Sequence, residues 1–108
     1  MPKIAVYGTL RKNFGNHKFF LEGKSIFLGK SFIEEETEDY FLSPVMDIVN
    51  EKYAVVELYE VSDEVKQSID LFELGFGYET RNKEFFIMTK SHYCDFYVIP
   101  KKNGYKNS

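Results

Sequence analysis

Cysteine is nearly absent from this chain. One thiol, Cys94, in 108 residues excludes an intramolecular disulfide and any multi-thiolate metal site, and suits a reducing cytosol. Histidine is almost as scarce, and with only His17 and His92 no metal cluster is legible. Basic charge is not in excess: 14 Lys and Arg stand against 17 Asp and Glu, for a net charge of −3. That leaves no footprint for phosphate-driven nucleic-acid binding. No apolar run approaches the roughly 18 residues of a membrane-spanning helix, and the N-terminus lacks the charged, apolar and small-residue regions of a secretion signal. No internal repeat or linker interrupts the pattern. The expectation is a soluble, cytoplasmic protein with no metal or other cofactor and no nucleic-acid or membrane partner, its oligomeric state open.

Aromatic residues are what the chain has in quantity. With 11 Phe, 8 Tyr and a hydrophobic content of 44%, it can build one core without staples. Residues 1–100 therefore read as a single domain, and 101–108 as a polar, loosely ordered tail. Ile4 to Tyr7 is a strand entering a loop. Asn16 caps a short helix through Leu21 that Gly23 closes, and Ile26 to Phe32 is a strand bent or bulged at Gly29. Tyr40 to Leu42 is a short strand stopped by Ser43-Pro44, and Val45 to Asn50 leads into a turn. Tyr53 to Val61, β-branched and aromatic, is a strand with mixed polarity on both faces, so its inward face stays undecided.

Ser62 caps a second helix, in which Val65, Ile69 and Phe72 share an apolar face with Glu73 while Asp63, Lys66, Gln67 and Asp70 take the other side. Tyr78 to Thr89 and His92 to Ile99 read as a hairpin joined near Lys90-Ser91, with Pro100 ending the last strand. This order predicts an α+β fold: a small, mixed, mostly antiparallel β-barrel or curved sheet carrying two or so helices on one side.

Two stretches could carry chemistry. In Ile4 to Arg11, Gly8 frees the backbone where the chain leaves the strand. The loop is either an ordinary turn or a set of convergent N–H groups that cradles an anion. In the second helix, a carboxylate at Glu73 beside the apolar face would be desolvated, raising its pKa toward a value useful for proton transfer; the other reading is a half-exposed glutamate paired with Arg81. The acidic run from Glu34 to Asp39 is a basic-partner or cation surface, or a solvated edge. A Cys–His nucleophilic pair is not expected. Cys94 sits in an apolar strand as a buried, inert thiol, His92 is placed at the surface where that strand begins, and His17 belongs to the N-terminal part of a helix.

The pieces also come in a recognisable order. Val6-Tyr7-Gly8-Thr9-Leu10-Arg11 with Asn16-His17, Phe27-Leu28-Gly29, Pro44, Glu57-Leu58-Tyr59-Glu60-Val61, Ile69-Asp70-x-x-Glu73, Tyr78 with Arg81, and Tyr97-Val98 resemble the motifs of the γ-glutamylcyclotransferase-like family, particularly its γ-glutamylamine cyclotransferase and AIG2-like branch. The resemblance covers nearly the whole chain. It implies the family's small mixed barrel and release of 5-oxoproline from a γ-glutamyl-amine or γ-glutamyl-amino acid by intramolecular aminolysis, with no cofactor.

It further implies that Glu73 is the general acid/base and that the N–H groups of Gly8, Thr9 and Leu10 hold the substrate carboxylate or developing oxyanion. Tyr7 would wall the pocket, and Tyr78 and Tyr97 would orient the substrate. Val56 stands where the family usually has glycine, the stretch from Glu73 to Tyr78 is slightly short, and that from Tyr78 to Arg81 slightly long. These departures keep open a second reading, a non-catalytic module on the same fold that binds a small anionic molecule or a protein partner.

Overall fold

In the computed structural model, residues 1–7, 10, 15–42 and 52–101 are described. Gly8, Thr9, Arg11, Ser43, Pro44 and the stretch 45–51 that leads into the expected turn lie outside the described residues, as does the tail from 102 onward. The elements run β1 (Lys3–Val6), α1 (Gly15–Phe20), β2 (Ser25–Glu34), β3 (Tyr40–Phe41), β4 (Tyr53–Val61), α2 (Asp63–Gly75), β5 (Glu79–Ile87) and β6 (Lys90–Pro100). The sheet is ordered β2-β4-β1-β6, with β5 along one edge of β6 and β3 beside its C-terminal end. Among the described residues only the β1–β6 pairing is parallel, so the mostly antiparallel α+β architecture expected from the sequence is the one observed.

The sheet curls until its outer strands, β2 and β5, approach each other. Ser31 Oγ donates to the Phe86 carbonyl across the gap at 3.1 Å, but no hydrogen-bonded ladder joins these strands among the described residues. The sheet thus stays open, its barrel-like seam bridged by side chains. Gly29 permits the approach: it sits at a register shift in β2, at φ +144°, and a Cβ there would lie 2.7 Å from Ile87 Cδ1.

β4 explains its own ambiguous alternation by being buried on both faces. Ala54, Val56 and Leu58 enter the barrel interior with Ala5, Ile33, Phe85, Cys94, Phe96 and Val98. Tyr59 and Val61 face outward, joining Ile4, Val6, Leu21, Ile69 and Tyr97 beneath the helices. A strand covered on both sides loses the period-two polarity that marks a half-exposed one. Val56, the residue in place of the family's glycine, is accommodated in the interior.

α2 begins where its cap predicts, with Ser62 Oγ accepting from the Val65 N–H at 3.2 Å. Its orientation differs from expectation. Lys66 and Asp70, assigned from sequence to the side away from the apolar face, lie against β6 with Ile69: Lys66 Nζ is 3.0 Å from Asp95 on that strand. Positions 66, 69, 70 and 73 form one stripe at i, i+3, i+4 and i+7, and the stripe mixes polar with apolar residues. Lys66 can lie there because its stem covers apolar surface and its charge meets two carboxylates. Val65 and Phe72 flank the stripe; the Phe72 ring is 4.8 Å from that of Phe20 on α1.

Smaller differences follow local chemistry. Asn16 lies inside α1 instead of capping it. The hairpin turns at Met88-Thr89, not Lys90-Ser91, because Ile87 pairs with Lys90; Met88 takes φ 56°. The acidic run is partly neutralised, Asp39 by Arg81 at 2.8 Å and Glu36 by Lys101 at 2.6 Å. His92 is buried instead of exposed. Its Nδ1 accepts from Lys3 Nζ at 3.1 Å, and burial together with the Lys3 and Lys90 charges holds its pKa below the usual imidazole value. Cys94 is buried as expected, and burial pushes its thiol up to about 11.

Candidate active site

The site lies where the C-terminal half of α2 meets the end of β1 and the middle of β6. Ile69, fully buried on the outer layer, fixes the helix against the sheet. Glu73 follows one turn later, half-buried, and desolvation pushes its carboxyl up to about 7. Arg81, the partner that an ordinary surface glutamate would have taken, is bound to Asp39 and Glu79 instead. Among the described residues no hydrogen bond or ion pair reaches the Glu73 carboxyl. An unpaired carboxyl near neutral pKa is half-ionised at pH 7 and can both take and return a proton.

Tyr7 and Tyr97 meet where β1 ends. Tyr7 follows β1 directly and donates its hydroxyl to the Tyr97 carbonyl, joining the N-terminal strand to β6. Tyr97 is buried, and its own hydroxyl donates to Asp70 Oδ1 at 2.7 Å. Burial, the Asp70 hydrogen bond and the nearby charges of Asp70, Asp95 and Glu73 all push the phenol well above its ordinary value. That interaction places Glu73 and Tyr97 within electrostatic reach of each other. Tyr78 packs on the same outer cluster, brought there by the turn after α2, in which the Phe76 and Tyr78 N–H groups both donate to the Glu73 carbonyl.

Leu10 is buried in that cluster as well. Its carbonyl is 3.0 Å from His17 Nδ1; since a carbonyl only accepts, His17 carries the proton on that nitrogen. His17 therefore ties the returning end of the β1 loop to α1. Of the residues expected at the site, Leu10, Tyr78 and Tyr97 pack in the outer cluster beneath the helices, with Glu73 on the helix above it. Tyr7 packs instead against the barrel-interior cluster and reaches this side only through its hydroxyl bond to the Tyr97 carbonyl, and Gly8 and Thr9 lie outside the described residues.

Three polar residues on this side were not singled out from sequence. Glu57, 4% exposed, accepts from the Tyr59 hydroxyl at 2.8 Å and pairs in register with Val6, next to Tyr7. The signal was a glutamate between Val56 and Leu58 in the central strand. Asp70 stood in the Ile69-Asp70-x-x-Glu73 motif without a role assigned to it, and Lys66 was placed on the far side of the helix. Among the described residues no His, Cys, Asp and Glu group could hold a metal ion.

Comparison with known proteins decides the family. A sequence model described as gamma-glutamyl cyclotransferase, AIG2-like, matches residues 4–108. The chain belongs to this family. A Methanocaldococcus jannaschii protein, MJ1514, whose name gives it a provisional designation as a gamma-glutamylcyclotransferase, is 36% identical over 108 residues, spanning 96% of this chain and 89% of that protein. The crystal structure of the uncharacterised PH0828 protein from Pyrococcus horikoshii superposes with a TM-score of 0.63 at 32% identity, covering 94% of this chain and 80% of that one. An AIG2-like protein from Mus musculus shares the fold, with a TM-score of 0.66 at 22% identity over 91% of this chain and 76% of its own. As a gamma-glutamyl cyclotransferase, AIG2-like chain, the protein places Leu10, Asp70, Glu73 and Tyr97 on the helix-covered side of the sheet, with Tyr7 packed against the barrel interior and bonded to the Tyr97 carbonyl.

Proposed function

We propose that the protein releases 5-oxoproline from a γ-glutamyl-amine or γ-glutamyl-amino acid, with Glu73 as general acid/base. The observation that carries this reading is the unpaired, desolvated Glu73 carboxyl, with its pKa pushed up to about 7, whose charge acts on the Tyr97 phenol.

The reaction asks little covalent chemistry of the protein. The substrate's α-amine nitrogen attacks its own γ-carbonyl carbon, the new C–N bond closes a five-membered ring, and the original C–N bond breaks to release an amine. Nucleophile and electrophile are in one molecule, so positioning them is a large share of the catalysis. Protons must still move. The ionised Glu73 takes one from the α-ammonium, freeing the lone pair, and the carboxylic acid so formed delivers it to the departing nitrogen. The second proton, shed by the attacking nitrogen as the ring closes, goes to the released amine, which leaves as an ammonium ion. Backbone N–H groups of Gly8, Thr9 and Leu10 would hold the α-carboxylate or the developing oxyanion, with Tyr7, Tyr78 and the Tyr97 ring shaping the pocket. No step calls for a cofactor.

The test is mass-spectrometric detection of 5-oxoproline after incubating the protein and its Glu73→Gln variant with γ-glutamyl-ε-lysine, γ-glutamyl-amino acids and glutathione. Wild-type turnover of at least one substrate is expected, with a loss of about 10²-fold or more in the variant. Equal turnover in the two proteins would sink the role of Glu73. Thermal protection by a substrate without any product would favour the non-catalytic binding module.

A further inference from the structure

Lys66 and Asp70 of α2 bond to β6, and Glu73 lies on the same 66-69-70-73 stripe, but the three do not share the available donors equally. The Tyr97 hydroxyl gives its only proton to Asp70. Asp70 is held at both oxygens by Lys66 Nζ, at 2.6 and 2.8 Å. Lys66 is itself tied to Asp95 at 3.0 Å and lies 5.8 Å from the centroid of the Tyr97 ring. Glu73, three residues on from Asp70 and so beside it on the helix surface, receives none of these bonds.

We propose that Asp70 is a positioning residue: clamped by Lys66, it retains the Tyr97 hydroxyl proton and so keeps the neighbouring Glu73 carboxyl without a donor, free to exchange its proton with substrate. This rests on the reading of Glu73 as the proton-transfer group. A hydrogen bond donated to a carboxylate favours its charged form and lowers its pKa. A Glu73 holding the Tyr97 proton would be a weaker base and, ionised at pH 7, no acid for the leaving amine. Asp70 removes that competitor.

The other ionisable groups around Tyr97 do not substitute for it. Lys66 is engaged by Asp70 and Asp95, and Tyr7 donates to the Tyr97 carbonyl. Tyr59 donates to Glu57 on β4, and His17 on α1 binds the Leu10 carbonyl. Tyr78 packs beside them from the turn after α2. Tyr97 is the phenol whose proton Asp70 holds.

The test is an NMR titration of the Glu73 side-chain carboxyl in 13C-labelled protein, which needs neither substrate nor turnover and therefore fails or succeeds independently of the 5-oxoproline assay. Asp70→Asn removes the charge but keeps an acceptor, and Asp70→Ala removes both. Relative to Asp70→Asn, the Glu73 midpoint in Asp70→Ala is expected to fall by about one pH unit, tenfold in its protonation constant. Adding Tyr97→Phe should abolish that fall. A midpoint in Asp70→Ala no lower than in Asp70→Asn, or a fall that survives Tyr97→Phe, would overturn the proposal. Should Asp70→Ala not fold, Tyr97→Phe alone decides: an unchanged midpoint supports the assignment, while a rise would show that the hydroxyl already served Glu73.

Discussion

Glu73 carries a stability cost that follows from its chemistry. Its folded-state pKa, about 7, lies above its ordinary value of 4.5, so between those values the folded protein holds more protons than the unfolded chain. The carboxyl's contribution to stability is then intact below about pH 4.5 and is lost as the pH rises through 7. Glutamine imitates the protonated form at every pH. Glu73→Gln is therefore expected to melt above the wild type at pH 8 and close to it at pH 4.5, a gap of about 1–2 kcal/mol, below the full 1.36 kcal/mol per unit because water still reaches the carboxyl. Thermal melts of both proteins across that range check it; a gap that does not widen with pH would contradict the desolvation. The position of Glu73 at the end of a helix face was legible from periodicity. Its isolation was not, because it depends on Arg81 finding Asp39, a residue 42 positions away.

Among the elements, the two strands at the barrel seam contain the positions most sensitive to backbone conformation. Gly29 combines φ +144° with close approach to Ile87, so Gly29→Ala meets strain from the backbone and collision from the side chain. A loss of about 2 kcal/mol is expected, and pairing it with Ile87→Val should recover only the steric part. Met88 presents the opposite case: it is exposed and occupies the left-handed region at φ 56°, so Met88→Gly should add about 0.5–1 kcal/mol. Chemical denaturation measures both. The bulge at Gly29 was readable from glycine inside an apolar strand. The turn position was displaced by two residues because neither Met88 nor Thr89 is a customary turn residue, and cross-strand pairing set the register. Helix α2 misled in a more instructive way: binary patterning assigns Lys66 and Asp70 to solvent, yet an ion pair supplied by β6 turns them inward.

For the whole molecule, two clusters separated by one sheet have separable consequences. Leu58 and Ile69 are both fully buried, the first in the barrel interior and the second under α2. Leu58→Ala and Ile69→Ala should each cost about 2–4 kcal/mol. Ile69→Ala should in addition lower turnover per folded molecule, since Ile69 seats the helix that carries Glu73; Leu58→Ala should not. Denaturation midpoints with activity measured well below the melting temperature separate the two effects, and equal specific activity in both variants would detach the site from the seating of α2.

Composition, motif order and periodicity by themselves determined the α+β class, most strands, the capped second helix and the family. These are local or ordered properties, written in residues close together in sequence or in their succession. Tertiary structure alone decided that His92 is buried under Lys3, that β4 is covered on both faces, and that Asp70 takes the Tyr97 proton and leaves Glu73 without one. Each of these depends on which distant charge or hydroxyl arrives at a given surface. That is set by how the sheet curls and how α2 lies on it, and a residue's own neighbours in the chain do not record it.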